Sequence, residues 1–320
     1  MQKVLIIRFS SLGDIVLSSP IIRCLKQQIN CKVHFLTKSQ YSQILDSNPN
    51  IDRLIILKDN INETINDLKS ENYSHVIDLH NNLRSFWIKM HLRSVLLNYK
   101  KQKFKRFLLL YFGLNTLNTH VVDRYFNCLK KLNVKNDNNG LDYFLHQKTY
   151  VNVKKNDSFL VWCIGASFEQ KTLSVSQIVN VCNNLSIRIL LIGGDQELSK
   201  GELIVKNSIN TNIENFCGRL SIDESAYLIK HSSLVLTNDT GFMHIAAAFK
   251  KRIISFWGCT KPSLGFYPYM TQNKCLNIVY NEFAKPCSKH GNFCRTQKDG
   301  CIKNLKPEKI LDAILEGMVN

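Results

Sequence analysis

Short polar turns follow apolar, β-branched runs at several points in this 320-residue chain, and each turn holds groups that could do chemistry. Leu234-Val235-Leu236 leads into Thr237-Asn238-Asp239-Thr240-Gly241-Phe242-Met243-His244 and then the alanine-rich Ile245 to Ala248. A helix beginning there offers free N–H groups and the positive end of its dipole, a setting that suits phosphate. Asn238 or Asp239 is placed to cap it. Asp239 would repel a naked phosphate, so it fits better as a cap, a loop-shaping residue, or a partner for a sugar hydroxyl or an ammonium group. An ordinary capped helix after a buried strand explains the same stretch. Gly165-Ala166-Ser167, with Lys171 close behind, combines backbone donors, a hydroxyl and a cation. That set can hold a diphosphate. The GxxxxGK[ST] spacing of a P-loop is absent, and a plain surface lysine is the alternative. Gly193-Gly194-Asp195-Gln196-Glu197 is a glycine turn with carboxylates that can reach ribose hydroxyls or simply close a turn. Near the N-terminus, Ser10-Ser11-Leu12-Gly13-Asp14 puts a carboxylate just past a strand, where it serves as a base or as a helix start.

The elements that must carry these turns alternate. Val4–Ile7, 32–36, 54–57, 74–79, 159–164, 187–192, 234–236 and 253–257 read as strands. Helices are expected over 20–28, with Pro20 in the first turn, over 62–70, after the capping box Ser221/Glu224, over the alanine-rich stretch, and over 307–318. Such alternation predicts an α/β fold with parallel sheets, with ligands at the carboxyl ends of the strands. Asn133–Gly140 and 148–157 are polar and read as the region between two domains. The expected organisation is 1–150, 151–306 and a C-terminal helix in 307–320.

Net charge is +17, from 42 basic and 25 acidic residues, which favours an anionic partner. Arg84 to Arg106 holds eight cations and no acid, interleaved with Phe86, Trp87, Tyr99 and Phe104. That pattern suits an anionic lipid surface or a phosphorylated glycolipid; a solvated helix face or nucleic acid would also account for it. No RRM or KH signature supports nucleic acid. No run reaches the ~20 apolar residues of a membrane span, and the apolar N-terminal run is too short for a signal peptide. The chain is therefore expected in the cytoplasm. Of eleven cysteines, eight, Cys259 among them, are scattered and read as small buried hydrophobes. Cys287, Cys294 and Cys301 are evenly spaced with His290 near them. They could hold structural zinc, although the spacing is not CxxC, and free thiols or a disulfide fit it better.

Taken together and in order, these turns resemble glycosyltransferase family 9, the heptosyltransferases of the lipopolysaccharide core. The resemblance rests on 8–16, 78–85, Gly165-Ala166-Ser167 with Lys171, 193–197, 218–221, 238–248 and Gly258-Cys259-Thr260-Lys261-Pro262. It implies a GT-B fold, two Rossmann-like domains facing across a cleft, with the acceptor on the N-terminal one. It also implies a C-terminal helix that crosses back to that domain. The donor implied is ADP-L-glycero-β-D-manno-heptose, and the acceptor a phosphorylated Kdo-lipid A core at the inner leaflet. The same fold could use another nucleotide sugar. Asp14 would be the base of an inverting transfer. Ser167 and Lys171 would meet the diphosphate with the N–H groups of Thr240 and Gly241. Glu197 would meet the ribose and Leu220 the adenine, with Asp239 and a supporting His244 in the donor loop. Gly13, Asn82, Arg84 and Arg124 would lie on the acceptor side. No D-x-D motif appears, so no metal or other cofactor is required at the diphosphate. A monomer is expected.

Overall fold

Eleven strands form in the computed structural model, which describes residues 1–153, 158–271 and 275–319. Residues 154–157, part of the expected interdomain stretch, lie outside the described residues. The chain divides into two units. The first takes Met1–Lys101 and Thr119–His146; the second takes Gln102–Asn118 and the described residues from Gln147 onward.

In the first unit, β1 (Gln2–Ile7), β2 (Cys31–Thr37), β3 (Arg53–Ile56), β4 (His75–Asp78) and β5 (Val95–Asn98) form one sheet in the order β3-β2-β1-β4-β5. Every pairing is parallel. The connecting helices are α1 (Leu12–Val16), α2 (Ser19–Gln28), α3 (Ile61–Lys69) and α4 (Leu83–Met90). After β5 the chain leaves for the second unit as α5 (Lys103–Phe107) and returns as α6 (Val121–Phe126). Val4 to Ile7 are fully buried, as a central parallel strand covered on both faces requires.

The second sheet has six parallel strands: β6 (Phe159–Cys163), β7 (Arg188–Ile192), β8 (Ile213–Asn215), β9 (Leu234–Asn238), β10 (Ile253–Trp257) and β11 (Cys275–Val279). Their order is β11-β10-β9-β6-β7-β8. Its helices are α7 (Val175–Asn183), α8 (Leu198–Asn207), α9 (Ile222–His231), α10 (Gly241–Ala248) and α11 (Pro307–Val319). The capping box at Ser221 and Glu224 forms, with Ser221 Oγ accepting from Glu224 N at 3.2 Å.

The units do not follow a single cut at residue 150. Segment 102–118 belongs to the second unit because Leu109 and Leu117 pack on Leu264, and because Lys285 and Arg295 donate to the carbonyls of Tyr111 and Leu110 at 2.5 and 2.6 Å. Asn133–Gly140 is no linker either. Asp137 holds Arg23 of α2 at 2.7 and 2.8 Å, and Gly140 O accepts from the same guanidinium at 2.9 Å. The C-terminal helix buries Ile310, Ala313 and Ile314 in the core of the second sheet beside α7 and β10. Both sheets reverse strand order once, between β1 and β4 and between β9 and β6. Crevices for ligands open beyond the carboxyl ends of strands at such points.

Candidate active site

At the first reversal the chain leaves β1 at Arg8. Ser11 opens α1, and Asp14 lies three residues on, in the first turn. The Arg8 guanidinium meets Asp14 Oδ2 at 2.5 Å and also donates to Ser10 O and Leu79 O at 2.8 and 2.6 Å. Ser11 adds its N–H and hydroxyl to Asp14 Oδ2 at 3.4 and 3.1 Å. Burial alone would raise the Asp14 carboxyl, but the adjacent Arg8 charge and the Ser11 donors outweigh it, so the pKa is lowered. Asp14 is thus a carboxylate at neutral pH, and part of its side chain reaches the surface. Tyr125 of α6 stands within electrostatic reach of Arg8 and Asp14. Burial holds its phenol well above the ordinary range, and its hydroxyl has no hydrogen-bond partner among the described residues. Tyr99 packs edge-on against it at 4.8 Å.

The loop after β4 faces this turn. Asp78 is fully buried at the strand end and works as its peg. It accepts from the N–H groups of His80 and Asn81 at 3.0 and 2.7 Å, from Ser85 Oγ at 2.8 Å and from Lys89 Nζ at 2.9 Å. Asn82 caps α4 through Ser85 N at 2.9 Å. His80 stacks on Phe9 at 4.8 Å; burial and the Arg8 and Lys101 charges push its pKa down to about 4. Phe9, Ser10, Lys38, His80, Asn82, Leu83 and Arg84 line an open depression of about 360 Å³. Two cations and several hydrogen-bonding groups in its lining suit an anionic, hydroxyl-rich ligand.

In the second unit the reversal brings Lys171, after β6, onto Asp239, after β9, at 2.8 Å. Thr260, after β10, donates to the same Asp239 oxygen at 2.8 Å. The amide of Asn238 donates to Ile164 O at 3.1 Å and Gly165 O at 3.2 Å, tying the β6 and β9 ends together. With both side chains so engaged, neither Asn238 nor Asp239 caps α10, as either was expected to. Thr240 does, accepting from Phe242 N at 3.2 Å. Glu197 accepts from Gly194 N at 2.8 Å and lies across two glycines. A Cβ on Gly165 would stand 2.6 Å from Glu197 Cδ, and one on Gly193 2.7 Å from Glu197 Cβ. Burial raises the Glu197 carboxyl, with the Gly194 N–H pulling the other way. The turn before Leu220 closes on this loop, Gly218 N bonding Gly193 O at 3.1 Å with φ +67°.

The second unit thus gathers Lys171, Asp239, Thr240, Gly241 and Glu197 around the β6/β9 ends. Ser167 sits exposed on the same turn, Leu220 is half-buried, and His244 is buried on α10. In the first unit Gly13 and Asp14 share α1, while Asn82 and Arg84 line the depression with Phe9. Arg124 is buried rather than presented, its Nε 3.4 Å from His120 O. The basic stretch is not one face, because α4, β5 and α5 divide it and Lys89 is buried on Asp78. Sequence reasoning carried Arg8, Asp78 and Thr260 only inside matching stretches, with no role given to them, and it missed Tyr125. Arg8 immediately after a strand and before a polar turn was the available signal; the others become visible only through contacts distant in sequence.

Residues 61–296 match the family model described as "Glycosyltransferase family 9 (heptosyltransferase)". Lipooligosaccharide heptosyltransferase 2 of Campylobacter jejuni serotype O:6 is 31% identical over 157 residues, 47% of this chain and 48% of that protein. The chain thus spans about half the length of that curated relative. Lipopolysaccharide heptosyltransferase 1 of Campylobacter coli is 25% identical, over 98% of both chains. The E. coli heptosyltransferase WaaC structure with ADP superposes with a TM-score of 0.76 at 19% identity, covering 99% of this chain and 100% of that one. The two parallel sheets and this likeness make the fold GT-B.

Proposed function

The chain belongs to glycosyltransferase family 9, and on that premise we propose that it transfers L-glycero-D-manno-heptose from ADP-heptose to a Kdo-lipid A core, with inversion. The observation that carries the reading is a pair of strand-end sites with opposite chemistry. The first unit offers a carboxylate kept ionised by Arg8, and the second a buried lysine held by Asp239. Its relatives' names and the ADP in the WaaC structure support the donor.

In this reading an acceptor hydroxyl gives its proton to Asp14 as its oxygen attacks the anomeric carbon. The bond from that carbon to the β-phosphate oxygen breaks on the opposite face, and ADP leaves. Lys171, the Ser167 hydroxyl and the N–H groups of Thr240 and Gly241 meet the growing charge. Asp239 keeps Lys171 aimed and offers its other oxygen to the sugar. Glu197 takes the ribose, Leu220 the adenine, and His244 supports the loop from within α10. Arg84 meets the acceptor's carboxylates and phosphates, with Gly13 and Asn82 shaping that wall; Arg124 supports it from beneath. No metal is needed at the diphosphate, since lysine and helix dipole supply the charge. The protein acts as a monomer on the cytoplasmic face of the inner membrane, docked by Phe104, Phe107, Tyr111 and Phe112, all exposed beside Lys103 and Lys105. Among the described residues no helix is long and apolar enough to cross a membrane.

The test is a transfer assay with ADP-heptose and defined core-truncated lipids, read by mass spectrometry, beside titrations with ADP, UDP and GDP. Heptose transfer with ADP-selective binding that Lys171→Ala weakens supports the reading. Transfer only from another nucleotide sugar replaces the donor and keeps the mechanism. Tight duplex binding indifferent to ADP overturns both.

A further inference from the structure

Four cysteines of the second unit meet at one point. Cys259 follows β10; Cys287, Cys294 and Cys301 come from the long loop after β11. Cys259 Sγ lies 3.8 Å from Cys301 Sγ, Cys287 Sγ lies 3.9 Å from Cys294 Sγ, and all four sulfurs lie within 4.8 Å of one another. Cys259 was expected to be a lone buried hydrophobe and His290 a candidate ligand; the group instead takes Cys259 and leaves His290 outside it. Sulfurs bound at ~2.3 Å around one tetrahedral ion stand about 3.8 Å apart. Two adjacent pairs match that edge.

The loop supplies a second argument. Residues 281–300 form neither helix nor strand, and Phe283 and Phe293 point outward, so apolar burial does not hold it. What it buries is Pro286, Cys294 and two glycines. Gly291 lies on the Lys171 stem: a Cβ there would stand 2.4 Å from Lys171 Cγ and Cδ and 3.3 Å from Thr260 Cγ2. Gly300 lies on Gln170, where a Cβ would meet the Gln170 carbonyl oxygen at 2.4 Å. Cys287 N bonds Cys259 O at 2.8 Å, which anchors the loop beside β10. A segment without a core that packs this closely needs a staple.

We propose that Cys259, Cys287, Cys294 and Cys301 form a tetrathiolate zinc site that holds loop 281–301 against Lys171. Four protein ligands leave no open position, so the ion is structural and takes no part in the transfer. Its role in aiming Lys171 rests on the proposed function; the site itself does not.

The full chain, purified without chelator, is assayed by plasma mass spectrometry, and thiolate release is followed by mercurial titration with a zinc-sensitive dye. The expected result is about one zinc per chain, released as roughly four thiols are titrated, as a tetrathiolate requires. Cys259→Ser and Cys294→Ser lose the metal, and Cys128→Ser, in the first unit, keeps it. Metal-free protein with four reactive thiols, or with two disulfides on peptide mapping, overturns the site. Stoichiometric iron overturns zinc and keeps the tetrathiolate. If the metal-depleted chain binds ADP as tightly as the loaded one, the link to Lys171 falls while the site stands. The expected change is about tenfold weaker ADP binding, reproduced by Gly291→Ala with zinc retained.

Discussion

At the scale of single residues, Asp14 is held ionised by Arg8. The carboxylate is partly buried, and without a cation burial would raise its pKa. Asp14→Asn is expected to keep ADP affinity and to lower turnover by about 10³ or more, in the range set by losing a general base and its charge together. A variant turning over near the parent rate removes Asp14 from the mechanism. Arg8→Gln tests the partner: burial then dominates, and the acid limb of the kcat/KM profile moves to higher pH. Stability follows the same groups. Because the folded-state pKa of Asp14 is depressed, its contribution is present above the ordinary carboxylate range and fades as pH falls through the folded value. His80, near 4, stays neutral in the fold while the unfolded chain takes a proton below about 6.5, so stability falls further between those values. Melting temperature is expected to drop on acidification from pH 6.5 to 4.5, less steeply in His80→Phe. Asp14 was legible in the sequence because its turn follows a plain strand. Arg8 lay in the same matching stretch but received no role, because its partner appears only once α1 folds back.

Among the elements, β1, β6, β9 and β10 were readable because central parallel strands are continuous apolar runs. β5 was hidden: Val95–Asn98 sits among cations at a sheet edge, with only Leu97 buried. β8 has three residues, too few for any period. The α10 cap was misassigned because Asn238 and Asp239 precede Thr240 with equal capping ability, and only tertiary contacts commit them elsewhere. The glycine turns were legible as turns but not as seats for Glu197. Since a Gly165 Cβ would stand 2.6 Å from Glu197 Cδ, Gly165→Ala should displace that carboxylate. Gly165→Ala and Glu197→Ala are each expected to weaken ADP binding by about tenfold. The double variant should be no weaker than the worse single one, since residues in contact are not additive. Additive losses by calorimetry would show that the glycine serves something else.

Across the whole molecule the excess of positive charge is sorted rather than spread, and composition alone could not show the sorting. Lys89 is spent inside the first unit on Asp78 and Asn98, at 2.9 and 2.5 Å. Lys103, Lys105 and Phe104 stay exposed on α5, with Tyr111 and Phe112 close behind. Cations near an anionic leaflet contribute ~1 kcal/mol each, and exposed aromatics add area at the headgroup level. Cosedimentation with phosphatidylglycerol vesicles should therefore be strong at low salt, weaken as ionic strength rises, and fall about 30-fold in Lys103→Ala/Lys105→Ala, the ~2 kcal/mol of two cations. Phe104→Ser/Phe112→Ser should also weaken it, including on neutral vesicles. Lys89→Met should leave vesicle binding unchanged and lower the melting temperature, because it strands a buried Asp78 without its cation. Equal loss from Lys89→Met and the α5 pair would mean that charge acts through the total alone, and the docking face assigned to α5 would have to be abandoned.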